Sequence, residues 1–140
     1  MYRSILIPTD GSQGSFKAAE HGINLARIFG SKLIILHVVD SHALAGFKPE
    51  DREKALEHLK ALGSEAVKKI VEKAQTEDVE VEEFIREGVP TETILDLADE
   101  AKVDLIVMGT RGLTGIKRIL LGSTVERVIR WASCPVLVVR

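Results

Sequence analysis

Val103-Asp104-Leu105-Ile106-Val107-Met108 runs directly into Gly109-Thr110-Arg111-Gly112. The apolar run from Val103 to Met108 is too short for a helix and lacks the strict alternation of a strand with one wet face. A strand buried on both faces, as in a parallel sheet covered by helices, has this pattern. Similar short, β-branched runs occur at Ile5-Leu6-Ile7, from Leu33 to Val39 and from Val136 to Val139. A fifth segment, Val79 to Arg86, differs, because Val79 and Val81 alternate with Glu80 and Glu82 and Glu83 follows. That pattern predicts a solvent-facing edge strand.

The segments between these runs have helical period. Ala18, Gly22, Ala26 and Phe29, joined by Ala19, Ile23 and Ile28, form an apolar stripe that Gly30 should end. From Asp51 to about Gln75, Leu56, Leu59, Leu62, Ala66, Ile70 and Ala74 share one side of a long amphipathic helix. Pro90 opens a third helix carrying Ile94, Leu95, Ala98 and Ala101, and Ser123 opens a fourth carrying Val125, Val128, Ile129 and Ala132. The order βαβαβαβαβ predicts one doubly wound α/β domain over residues 1–140, with ligands bound beyond the C-terminal strand ends. The connection from Ser41 to Glu50, read as a loop with Gly46 and Pro49, falls on that face and could cover a site.

The chain has 140 residues, 45% of them apolar and 29% charged, and a net charge of −2, which fits a single soluble globule and gives no footprint for nucleic acid. No apolar run reaches the roughly 18 residues of a membrane span and no signal peptide opens the chain, so a cytosolic location is expected. The one cysteine, Cys134, has no disulfide partner, and no Cys/His cluster has zinc spacing. The charge is unevenly spread. Residues 109–140 hold six basic side chains (Arg111, Lys117, Arg118, Arg127, Arg130 and Arg140) against Glu126, a net +5, and the first 108 residues sum to −7. Four of the eleven glycines (Gly109, Gly112, Gly115 and Gly122) lie within this basic region.

Two strand ends carry chemistry. The first runs into Pro8-Thr9-Asp10-Gly11-Ser12, where Asp10 or Ser12 could cap the following helix and Gly11 could relax the backbone. The fourth runs into G-x-x-G-(x)9-G-S-T, from Gly109 to Thr124. Glycines there let main-chain N–H groups approach an anion, and Gly122-Ser123 feeds a helix N-terminus that favours phosphate. Ser123-x-x-Glu126 also has the form of a capping box, which needs no ligand but leaves Gly109 and Gly112 unexplained. The spacing excludes both a Walker A loop and the dinucleotide fingerprint G-x-G-x-x-G.

Pro8 to Ser12, His37-Val38-Val39-Asp40, the Gly109 to Thr124 pattern and Cys134-Pro135-Val136-Leu137-Val138-Val139 together resemble the universal stress protein family, in its ATP-binding branch. The resemblance runs end to end and implies an open five-stranded parallel sheet of order 3-2-1-4-5 with helices on both faces. It implies a nucleotide, ATP or its AMP or ADP products, across the switch point between strands one and four. Positions matching Pro8, Thr9, Asp10 and Val38 would contact the adenosine, Val38 through its main chain. Met108, Gly109, Arg111 and Gly112 would line the ribose and first phosphate. Gly122, Ser123, Thr124 and Val125 would hold the phosphates, with Mg²⁺ or Mn²⁺ bound through them. Thr124 stands where the family usually has an aliphatic residue and Val125 where it has a small one, so the hydroxyl that reaches the terminal phosphate stays open. In that strand order the two turns must meet, which gives Asp10 a second reading as acceptor for a ribose hydroxyl or a metal-bound water.

No Ser/His/Asp set, paired carboxylates or tuned lysine supplies a hydrolytic site, so tight binding with weak hydrolysis at most is expected. The implied role is a stress-response regulator that switches as a homodimer on nucleotide binding and acts on an unnamed partner protein; the alternative is a slow ATPase or adenylate-handling enzyme. The apolar edge from Val136 to Val139 needs a cover, which an antiparallel pairing with its twin would provide. His37 reads as a core or sheet-end histidine, His21 and His58 as solvated, Cys134 as a small apolar residue and Trp131 as helix-face packing.

Overall fold

The computed structural model describes residues 1–110 and 121–140. They form β1 (Ser4–Pro8), α1 (Gln13–Phe29), β2 (Lys32–Asp40), a 3₁₀ turn (Ser41–Leu44), α2 (Pro49–Thr76), β3 (Val81–Gly88), α3 (Pro90–Glu100), β4 (Leu105–Gly109), α4 (Ser123–Trp131) and β5 (Val136–Val139). The strands make one parallel sheet in the order β3-β2-β1-β4-β5. β1 lies between β2 and β4, with Ile5 opposite both Leu33 and Leu105. The chain steps outward from β1 to β3 on one side, then crosses back to β4 on the other, so its direction reverses at β1/β4.

Alternate strand residues feed two cores. Ile5, Ile7, Leu33, Ile35 and Val107 pack under α1 and α2, and Leu6, Ile34, Leu36, Ile106 and Met108 pack under α3 and α4. Burial on both faces is what the unbroken apolar runs encode. β3 is the exception, with Glu82, Glu83 and Glu87 exposed along an edge strand.

Three helix ends explain where the strands begin. Gly30 closes α1 in the left-handed region at φ 65°, as its position predicts, and Ser31 N–H returns to the Ala26 carbonyl. Asp78 (φ 57°) and Lys102 (φ 52°) do the same for α2 and α3, returning Val79 N–H to Ala74 and Val103 N–H to Ala98. Val79 and Val103 are therefore buried closures of helices, not ladder residues. β3 begins at Val81 and β4 at Leu105, each two residues later than the apolar runs predict.

Other expectations are corrected at the helices. α2 begins at Pro49, and Ser41–Leu44 is a 3₁₀ turn with Leu44 buried, so the predicted loop from Ser41 to Glu50 is largely ordered structure. Leu62 is 50% exposed, because Gly63, Ala66, Val67, Ile70 and Ala74 face the sheet instead. Ile28, Phe29 and Ile129 also leave the core, and Trp131 is 70% exposed instead of packing on its helix face. Phe29 meets Tyr2 edge to face with ring centroids 5.3 Å apart. His21 and His58 are exposed, and Cys134 packs beside the α3/α4 core, as expected.

Candidate functional site

Beyond the C-terminal ends of β1, β2 and β4 lies a cavity of about 400 Å³, in the range of small-molecule sites, about 300–1,000 Å³. Of the twelve residues singled out from the sequence, ten line it: Pro8, Thr9, Asp10, Val38, Met108, Gly109, Gly122, Ser123, Thr124 and Val125. Arg111 and Gly112, with Gly115, Lys117 and Arg118, lie outside the described residues.

The first turn is held by a continuous hydrogen-bond chain. Thr9 N–H donates to the Leu36 carbonyl at 2.8 Å, which fastens the end of β1 to β2. The buried Thr9 hydroxyl lies 2.8 Å from Ser15 Oγ and accepts from Gly11 N–H at 3.2 Å. Ser15 Oγ donates to the Ser12 carbonyl at 2.8 Å, so the Thr9 hydroxyl is the donor to Ser15. Ser12 is the N-cap of α1, its side chain accepting from Ser15 N–H at 3.2 Å, and Asp10 Oδ1 accepts from Ser12 N–H at 2.9 Å. The cap and the cavity-lining carboxylate thus belong to one turn: Ser12 caps and Asp10 braces.

The second turn is built differently. Gly122 is the N-cap of α4, and among the described residues no side chain caps the helix. Ser123 is already the first helical residue, so the predicted Ser123-x-x-Glu126 capping box does not form; the Glu126 carboxylate instead takes Arg130 at 3.1 Å, one turn on. Ser123 is left at a helix N-terminus whose dipole favours an anion. Gly122 N–H donates to the Thr110 carbonyl at 2.7 Å, which ties the start of α4 to the end of β4, and Gly109, packed against the first turn of α1, joins the two turns.

Several lining residues carry no site role in the sequence reading, His37, Val39 and Asp40 among them although their motif is quoted there. Leu36, Val39, Leu59 and Ile94 give apolar walls from three elements, β2, α2 and α3, Asp40 and Ala43 form a rim at the 3₁₀ turn, and His37 enters from β2. His37 Nδ1 lies 2.9 Å from the Thr9 carbonyl. A histidine at the C-terminal end of a buried parallel strand was the available signal, since that end faces the ligand edge.

An adenine nucleotide fits this arrangement by its chemistry. The apolar walls suit a base, the Asp10 carboxylate suits a ribose hydroxyl, and the uncapped α4 N-terminus suits phosphate. Among the described residues no group of three His, Cys, Asp or Glu side chains could hold a metal ion. A Mg²⁺ ion carried on phosphates needs only one or two protein carboxylates, and the cavity lining includes Asp10 and Asp40.

The chain matches the universal stress protein family over residues 1–140. It is 47% identical to the universal stress protein MJ0531 of Methanocaldococcus jannaschii, over 100% of this chain and 83% of that one. The solved structure of MJ0577 from the same organism superposes with a TM-score of 0.91 at 33% identity, covering 99% of this chain and 96% of that one. A universal stress protein solved in complex with cAMP superposes with a TM-score of 0.77 at 30% identity, covering 99% and 97%.

Proposed function

The chain belongs to the universal stress protein family, and on that premise we propose that it binds an adenine nucleotide, ATP foremost, in the cavity at the β1/β4 switch point. The observation that carries this reading is the meeting of the Asp10 turn and the uncapped α4 N-terminus on one cavity. Two unrelated caps would have no reason to converge there. The cAMP held by one relative supports the ligand class, and the G-x-x-G-(x)9-G-S-T pattern favours a ligand with a chain of phosphates. Residues 1–140 act as one binding unit. Pro8, Thr9, Asp10 and Val38 take the adenosine, Met108, Gly109, Arg111 and Gly112 the ribose and first phosphate, and Gly122 to Val125 the remaining phosphates, with Mg²⁺ or Mn²⁺ riding on them.

The protein is a stress-response regulator in which the nucleotide is a state signal with little turnover. The carboxylates lining the cavity among the described residues are Asp10, assigned to the adenosine, and Asp40 on the rim, which falls short of the base, metal and charge clamp that phosphoryl transfer needs. No helix among the described residues is long and apolar enough to cross a membrane, and the site is read as cytoplasmic. The working form is a homodimer through β5, where Leu137 (37% exposed), Ile129 and Trp131 leave apolar surface beside an open strand edge.

Calorimetric titration with ATP, AMP and NAD, with and without Mg²⁺, tests the reading. ATP is expected to bind and NAD is not. Steady-state hydrolysis at ~1 s⁻¹ or faster, the low end for enzymes, would favour the adenylate-handling alternative.

A further inference from the structure

The His37 side chain touches both the Asp10 turn and α2. A carbonyl oxygen only accepts, so the 2.9 Å contact with the Thr9 carbonyl places a proton on His37 Nδ1. Thr9 N–H is already committed to the Leu36 carbonyl. Both main-chain groups of Thr9 are thereby held from β2, one by backbone and one by the His37 ring. The Thr9 carbonyl belongs to the peptide that leads into Asp10, so fixing its plane fixes the direction in which Asp10 leaves the strand.

The opposite edge of the ring is held just as closely. A Cβ on Gly63 of α2 would fall 2.1 Å from His37 Cδ2 and 2.6 Å from Nε2. Only a glycine lets the α2 backbone close on the ring while Nδ1 stays on Thr9. Any larger residue must turn the ring or lift the helix.

We propose that His37 is a positioning residue for the nucleotide site, aiming the Asp10 turn through the Thr9 carbonyl and itself held by Gly63, so that the seating of α2 sets nucleotide affinity. The proposal rests on the nucleotide reading above and adds to it the route by which a helix of 28 residues, largely exposed, bears on the site.

The first test needs no ligand. A ¹H–¹⁵N correlation of the imidazole in the wild-type protein should show Nδ1 protonated; a neutral ring protonated on Nε2 alone overturns the proposal. The second is titration with ATP. Gly63→Ala should weaken binding about tenfold, the scale of one lost hydrogen bond, although alanine favours the helix over glycine. His37→Leu, which removes the donor, should lose a similar factor. His37→Asn keeps an N–H donor at the Nδ1 position and deletes the ring that a Cβ at position 63 would strike. Combined with Gly63→Ala it should regain most of the lost affinity, a rescue that general damage to α2 would not give. Equal affinity of wild type and Gly63→Ala, or a double variant as weak as Gly63→Ala, overturns this proposal alone. A wild type that binds no adenine nucleotide overturns the nucleotide reading and this proposal with it.

Discussion

A Cβ on Gly109 would stand 2.8 Å from the carbonyl oxygen of Gly14 and 3.0 Å from its carbon, so the end of β4 and the first turn of α1 meet backbone to backbone. Gly109 therefore has a structural duty apart from any phosphate: it sets the distance between β4 and the helix that follows Asp10. Neither neighbour is a flexible side chain that could swing away.

Gly109→Ala is accordingly expected to destabilise the fold by about 1–3 kcal/mol, the range for overpacking a tight contact. Urea unfolding with and without ATP checks this. The destabilisation should appear without nucleotide, whereas a variant as stable as wild type would mean that the contact relaxes freely.

The two helix starts beside the cavity should respond differently to loss of a hydroxyl. Ser12 caps α1 through Ser15 N–H, and Ser123 caps nothing. Ser12→Ala should cost about 1 kcal/mol. Ser123→Ala should stay within about 0.5 kcal/mol while weakening ATP binding. Equal stability losses in the two variants would restore the capping box at Ser123.

At the sheet edge, Ile106 N–H and Thr110 N–H donate to the carbonyls of Pro135 and Val139, so odd-numbered residues of β5 face β4 and the N–H of Val138 faces the open edge. Val138→Pro removes that donor without touching the β4 ladder. Sedimentation should show monomers; an unchanged dimer would place the interface elsewhere.

Cys134 gives a pH-dependent readout. Burial pushes its thiol up, and the carboxylates of Asp104 and Asp99 push in the same direction. A raised thiol holds less thiolate at a given pH, and thiolate is the reactive form. Iodoacetamide at pH 8 should alkylate native Cys134 more slowly than the unfolded chain, the rate climbing as pH rises further. Equal rates would contradict the assignment.

Burial on both faces made the inner strands legible, because it leaves an unbroken apolar run that nothing else in a short segment produces. Strand starts were not legible at Val79 and Val103, since an aspartate and a lysine take the left-handed position that sequence patterns reserve for glycine. At Gly30, where glycine does occupy it, the helix end could be read directly. The motif residues on strand ends could be placed on one edge because strand order decides it. The walls from Leu59 and Ile94 could not, because they depend on how α2 and α3 cross the sheet. Gly63 against His37 is a contact across 26 residues of sequence, and no local pattern marks it.

The central claim is that an adenine nucleotide occupies the cavity between the Asp10 turn and the start of α4. Amide ¹H–¹⁵N spectra recorded during titration with ATP and Mg²⁺ test it most directly. The largest shifts are expected at Asp10, Val38, Gly109 and Ser123 to Val125, with little change around Arg27 and Glu80 at the opposite end of the sheet. Saturating ATP that leaves those amides unmoved, or moves only the opposite end, would contradict it.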